Sequence, residues 1–159
     1  MENVPTKLAF FAWEAAWGRV LTLDRLQKRG WQLPNRFYLC GSKEENGNHL
    51  LIRCTVARVL WEIVLGLFGA QWVFPESVKE VVLSWKGSFV GKKREKIWRF
   101  IPLFIFWTVW KERNRLAFGG GGVQKIKNSF VCNVWGWAKL YSGVESRSLI
   151  GFLEWLASS

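Results

Sequence analysis

The chain has 159 residues, half of them hydrophobic, and a formal charge of +11. That length and apolar content suit a folded unit with its own core and exclude a disordered tail. The basic balance favours a polyanionic partner, with nucleic acid ahead of an anionic membrane surface.

Helical periodicity runs along nearly the whole chain. Pro5 can open a first helix, in which Leu8, Phe11, Ala12 and Ala15 repeat at helical spacing and Phe10, Trp13 and Trp17 widen the apolar face. Gly18 loosens or ends it. Thr22 is a suitable N-cap for a short second helix, with Asp24 in its first turn and Gly30 where a left-handed cap belongs.

Residues 31–54 break the pattern. Pro34, Asn35, Gly41, Ser42, Asn46, Gly47 and Asn48 punctuate them. At most a small hairpin is expected around 37–51.

Beyond this stretch, Val56, Val59, Leu60, Ile63, Val64 and Leu67 follow the i, i+3, i+4, i+7 rule. Val78, Val81, Val82 and Trp85 predict another amphipathic helix, ended by Gly87. A basic cluster then leads into the apolar run 100–110, FIPLFIFWTVW. That run is too short to cross a bilayer, which needs about 20 apolar residues. It is read as a buried helix ending near Phe118, with Pro102 kinking it or marking its start.

The glycines at 119–122 form a flexible break. Ile126, Phe130, Val134, Trp137 and Tyr141 then suit a further helix, and Leu149, Phe152, Leu153 and Leu156 a last one. The fold is predicted mainly α, with an irregular or hairpin Cys/His segment between the second and third helices. A boundary near 87 divides residues 1–87 from a basic helical extension, 88–159.

The chain holds three cysteines and one histidine. The odd number, with no secretory leader visible, predicts reduced thiols in the nucleus or cytoplasm of a protein that is not secreted. Cys40, His49 and Cys54 fall in the irregular stretch as C-x8-H-x4-C. Thiolate and imidazole are zinc donors, but a closed structural site takes four ligands in a tetrahedron. The fourth is commonly a cysteine three residues before the first, and Phe37 stands there. From these residues alone, a degenerate zinc site and a buried cysteine pair beside a capping histidine both stay open.

Two segments carry a resemblance. VPTKLAFFAWEAAWGRVLTLDRLQKRG and CGSKEENGNHLLIRCTVARVLW resemble the zinc-binding domain of reverse transcriptases in plant non-LTR, LINE-type retroelements. Pro5, Lys7, Phe11 and Trp13 match its first helix, with Lys7 one residue late. Thr22, Leu26, Arg29 and Gly30 match its second, and Cys40, His49, Cys54 and Trp61 its Cys/His cluster and following helix. IFWTVWKERNRLAF resembles the connector that follows such domains.

The resemblance implies metal binding through Cys40, His49 and Cys54, with Phe37 in place of the first cysteine. It also implies a supporting role beside a polymerase that this chain does not carry, so a fragment of an element is expected.

Catalysis is not expected. Two-metal phosphoryl transfer needs clustered carboxylates, and Asp24 is the only aspartate. His49 is the only imidazole base, with no nucleophile elbow near it. The glycines at 119–122 lack the Lys-Ser/Thr of a phosphate loop.

Contact with RNA or DNA is expected instead, through three basic groups: Arg25, Lys28, Arg29 and Arg36; Lys92, Lys93, Arg94, Lys96 and Arg99; and Lys111, Arg113 and Arg115, with Lys125 and Lys127 beyond the glycine run. The alternative is a helical interaction module that docks on the parent polymerase or another partner without metal. No membrane partner is expected.

Overall fold

The computed structural model describes residues 6–30, 32, 46–85, 92–117, 123–141, 144–145 and 147–158. Every regular element among them is helical. These are α1 (Thr6–Ala16), α2 (Leu23–Lys28), a π-helical turn (His49–Arg53), α3 (Thr55–Phe68), α4 (Val78–Ser84), α5 (Lys92–Ala117), α6 (Val123–Tyr141) and α7 (Leu149–Ala157).

The chain folds around α5, which packs against α1, α3, α6 and the π-turn. Its middle is apolar on all sides. Ile97, Trp98, Ile101, Phe104, Ile105, Phe106 and Val109 are all buried, as a helix with no solvent stripe must be. One hydrophobic cluster runs from Leu8 on α1 to Leu156 on α7, across the boundary expected near residue 87.

Pro102 lies inside α5 and does not start it. A proline has no N–H to donate, so the carbonyl four residues back loses its helical partner. That carbonyl belongs to Trp98, and the indole N–H of Trp85 donates to it at 2.7 Å in the buried interior. The same two rings stack, with centroids 4.1 Å apart. Trp85 thus supplies from outside the hydrogen bond that the sequence of α5 cannot make.

The segment around residue 50 departs from the expected loop or hairpin. Residues 47–48 are helical and His49–Arg53 coil as the π-turn, closed by the Cys54 N–H donating to the His49 carbonyl at 2.7 Å. Asn46 starts it, its side-chain oxygen accepting from the His49 N–H at 2.8 Å. At Cys54 the backbone becomes extended (ψ 141°) before α3 begins.

This break leaves carbonyls at the end of the π-turn without continuous helical partners. The Trp61 indole takes that of Leu51, at 3.0 Å. Trp61 is fully buried beneath Trp72, Phe74, Trp85 and Phe106. At the other end of α3, Gly69 adopts φ 62° and the Ala70 N–H bonds the Leu65 carbonyl, the closure that a left-handed glycine permits.

Candidate functional site

His49 opens the π-turn and Cys54 directly follows it, so this segment carries two of the three expected metal donors. On an α-helix, residues five apart diverge by about 140° around the axis. An i to i+5 hydrogen bond widens the turn and brings the Cys54 backbone directly over that of His49. Cys54 is fully buried and His49 partly so. Two wedges hold the turn: the Trp61 indole below, and Asn48, whose side-chain oxygen accepts from the Val78 N–H of α4 at 3.0 Å.

Imidazole and thiolate are both zinc donors by residue type, and the hydrogen bond that joins His49 to Cys54 here is one of backbone to backbone. Cys40 and Phe37, the other positions that bear on zinc binding, lie outside the described residues. Among the described residues no three His, Cys, Asp or Glu side chains converge to hold an ion.

Beside the π-turn opens a cleft of about 280 Å³. Thr22, Asp24, Arg25 and Lys28 of the α2 region form one wall. Asn46, Gly47, Asn48, Leu50, Leu51 and Arg53 form the other, and Ala15, Gly18 and Val20 close the end toward α1. Its cations are Arg25, Lys28 and Arg53, against the single carboxylate of Asp24. The Thr22 hydroxyl donates to that carboxylate instead of capping α2. The Arg25 Nε is buried without a hydrogen-bond partner.

The expected basic residues divide by environment. Arg25 and Lys28 reach the cleft, and Arg29 is exposed next to them. Arg36 lies outside the described residues. Lys92 and Lys93 open α5, although their side chains fall outside the description. Lys96 is half-buried. Arg99 is exposed beside Glu95, at 4.0 Å.

Arg94 belongs to a different role. It is 8% exposed, its guanidinium donates to the Trp155 carbonyl and to the Ser158 hydroxyl, and it lies over the Trp155 ring. The charge sits at the C-terminal end of α7, where the helix dipole favours a cation. Arg113 is 9% exposed, bonds Asn114 and lies over Trp110. Neither presents its charge to solvent. Lys111 is exposed, and Arg115 pairs with the buried Glu112 at 3.2 Å.

Sequence reasoning missed Arg53. It stands alone in the chain next to Cys54, and only the π-turn carries it to the cleft. It also placed Phe10, Trp13 and Trp17 on the apolar face of α1, whereas they are 59%, 48% and 56% exposed.

No helix among the described residues is long and apolar enough to cross a membrane. No curated protein and no solved structure matches the chain. Residues 1–61, which run from the N-terminus through the π-turn to Trp61, match the family described as zinc-binding in reverse transcriptase.

Proposed function

We propose that the chain is a non-catalytic accessory module of a retroelement reverse transcriptase, of the plant LINE type that its motif order resembles, and that it contacts nucleic acid through the cleft beside the π-turn. The observation that carries this reading is the convergence of Arg25, Lys28 and Arg53 around one polar cleft in a chain of charge +11. Cations so grouped meet backbone phosphates and release counterions. They position a strand without reading its sequence. Accessory status follows the family, whose described role is zinc binding and not polymerisation.

The test is binding of a labelled RNA to the full chain at two salt concentrations. Affinity should fall steeply with salt. A variant with Arg25→Gln, Lys28→Gln and Arg53→Gln should lose about two units of log–log salt slope, at about 0.7 per phosphate contact on a single strand. Salt-insensitive binding would refute the cleft.

Zinc is the ion that this donor set would hold if complete: Cys40, His49 and Cys54 supply three ligands, and Phe37 stands where the fourth would close the site. Metal analysis of purified protein should find little zinc in the wild type and a stoichiometric ion in Phe37→Cys. Two metal-free proteins would reduce the cluster to packing.

A further inference from the structure

Helix α1 has two apolar faces. Leu8, Phe11, Ala12 and Ala15 are buried, with Phe11 against Trp107 and Trp110, each 5.6 Å away between centroids. Phe10, Trp13 and Trp17 lie at i, i+3 and i+7 on another side, all about half exposed. Core packing does not explain them, and exposed tryptophans at helical spacing mark contact surfaces.

Their surroundings select the partner. The Arg19 guanidinium lies 5.1 Å from the Trp13 ring centroid, and the Lys79 ammonium, reaching across from α4, lies 4.6 Å from that of Trp17. A dry protein interface laid over this stripe would strip water from both cations without giving them a counter-charge. A strand of unpaired nucleic acid offers what the stripe lacks on both counts. Its bases present flat π faces to the rings, and its phosphates present negative charge to Arg19 and Lys79. A duplex keeps its base faces stacked inside the helix and cannot use the rings. The stripe also leads to the basic cleft, because Gly18, next to Trp17, lines the cleft's edge.

We infer that Phe10 and Trp13 of α1 and Trp17 in the turn that follows it, flanked by Arg19 and Lys79, form a stacking platform for the bases of single-stranded nucleic acid. The inference rests on the nucleic-acid reading above and adds the strand state that is recognised.

The experiment compares the full chain with a Trp13→Ala, Trp17→Ala variant, using a labelled single-stranded RNA and a blunt duplex of the same sequence. Single-strand affinity should fall about 5- to 150-fold for each ring that stacks a base, while duplex affinity stays within about twofold, since phosphate contacts are sequence- and ring-independent. Trp13→Phe with Trp17→Phe should recover most of the loss. A second variant, Arg19→Gln with Lys79→Gln, leaves the rings in place and should weaken single-strand binding with a shallower salt slope. It decides the matter if the alanine variant does not fold.

Unchanged single-strand affinity in folded alanine and glutamine variants overturns the platform and leaves the cleft standing. Equal losses for strand and duplex also overturn it, as does a change of oligomeric state with RNA affinity intact, which would make the stripe a protein-docking surface. A wild type that binds neither RNA form removes the nucleic-acid reading itself.

Discussion

The hydrogen bond from Trp85 to Trp98 should be worth most in the presence of Pro102, and a double-mutant cycle measures this. Trp85→Phe keeps an aromatic ring in the cluster but removes the indole N–H, leaving the buried Trp98 carbonyl without its donor. An unsatisfied buried acceptor costs about 1–3 kcal/mol. Pro102→Ala returns an N–H to position 102, in reach of that same carbonyl through ordinary helical geometry. In the Pro102→Ala background, Trp85→Phe should therefore cost its lost ring area and the smaller worth of a second bond to a carbonyl that already has a donor.

The packing loss is common to both backgrounds and cancels in the cycle. The surviving coupling should be about 1–2 kcal/mol, below the full penalty because a carbonyl has two lone pairs and can accept from both donors at once. Urea unfolding followed by tryptophan fluorescence gives each free energy, with the denaturant slope checked for constancy. Equal costs of Trp85→Phe beside proline and beside alanine would refute the argument that the indole compensates for the missing amide.

Arg94→Gln should lower global stability by about 1–3 kcal/mol through the lost bonds to Trp155 and Ser158. It should speed hydrogen exchange at the Ser158 amide, which bonds Glu154 at the end of α7, yet leave RNA affinity unchanged. A large loss of RNA binding would return Arg94 to the nucleic-acid surface. Gly69→Ala should cost about 1–2 kcal/mol, because φ is 62° there and a Cβ meets nothing within 4 Å, so the penalty is backbone strain alone. Thermal unfolding reads it, and an unchanged Tm would mean that the turn relaxes without cost.

Much of the fold was legible because periodicity reports burial directly. Val56, Leu60 and Val64 on α3, and Ile126, Phe130, Val134 and Trp137 on α6, are buried as their spacing predicts. The π-turn was illegible for a physical reason. Asn46, Gly47 and Asn48 are loop formers by propensity, but here Asn46 caps the turn and Asn48 anchors α4, both through side-chain oxygens. Hydrogen bonds to partners as distant as Val78 leave no local pattern.

The candidate site divides the same way. His49 and Cys54 announce themselves by residue type, whereas Arg53 joins the cleft only through a backbone geometry that periodicity does not encode. On α1 the apolar residues are too many for one face, so hydrophobicity alone could not say which of Phe10, Phe11, Trp13 and Trp17 would be buried. The position of α5 decides it, and only Phe11 meets Trp107 and Trp110.

The family match ends at Trp61, in the middle of α3, but the physical unit does not end there. Trp61 is covered by Trp72, Phe74, Trp85 and Phe106. Phe11 rests on two rings of α5, and α5 also packs on the π-turn. A chain cut after residue 87 would keep the Cys/His segment but lose every side chain of α5. Exposing Phe11, Leu51 and one face of Trp61 forfeits about 1.5–3 kcal/mol for each well-buried side chain. Three such losses reach the roughly 5–15 kcal/mol that holds a whole domain together. The fragment 1–87 should therefore show no cooperative thermal transition where the full chain does. Because metal binding can supply folding energy to a small site, the measurement belongs in both zinc-containing and chelated buffer. A sharp two-state transition for 1–87 in chelator would show that the N-terminal segment carries a sufficient core of its own, and that α5 is an addition to the fold and not its centre.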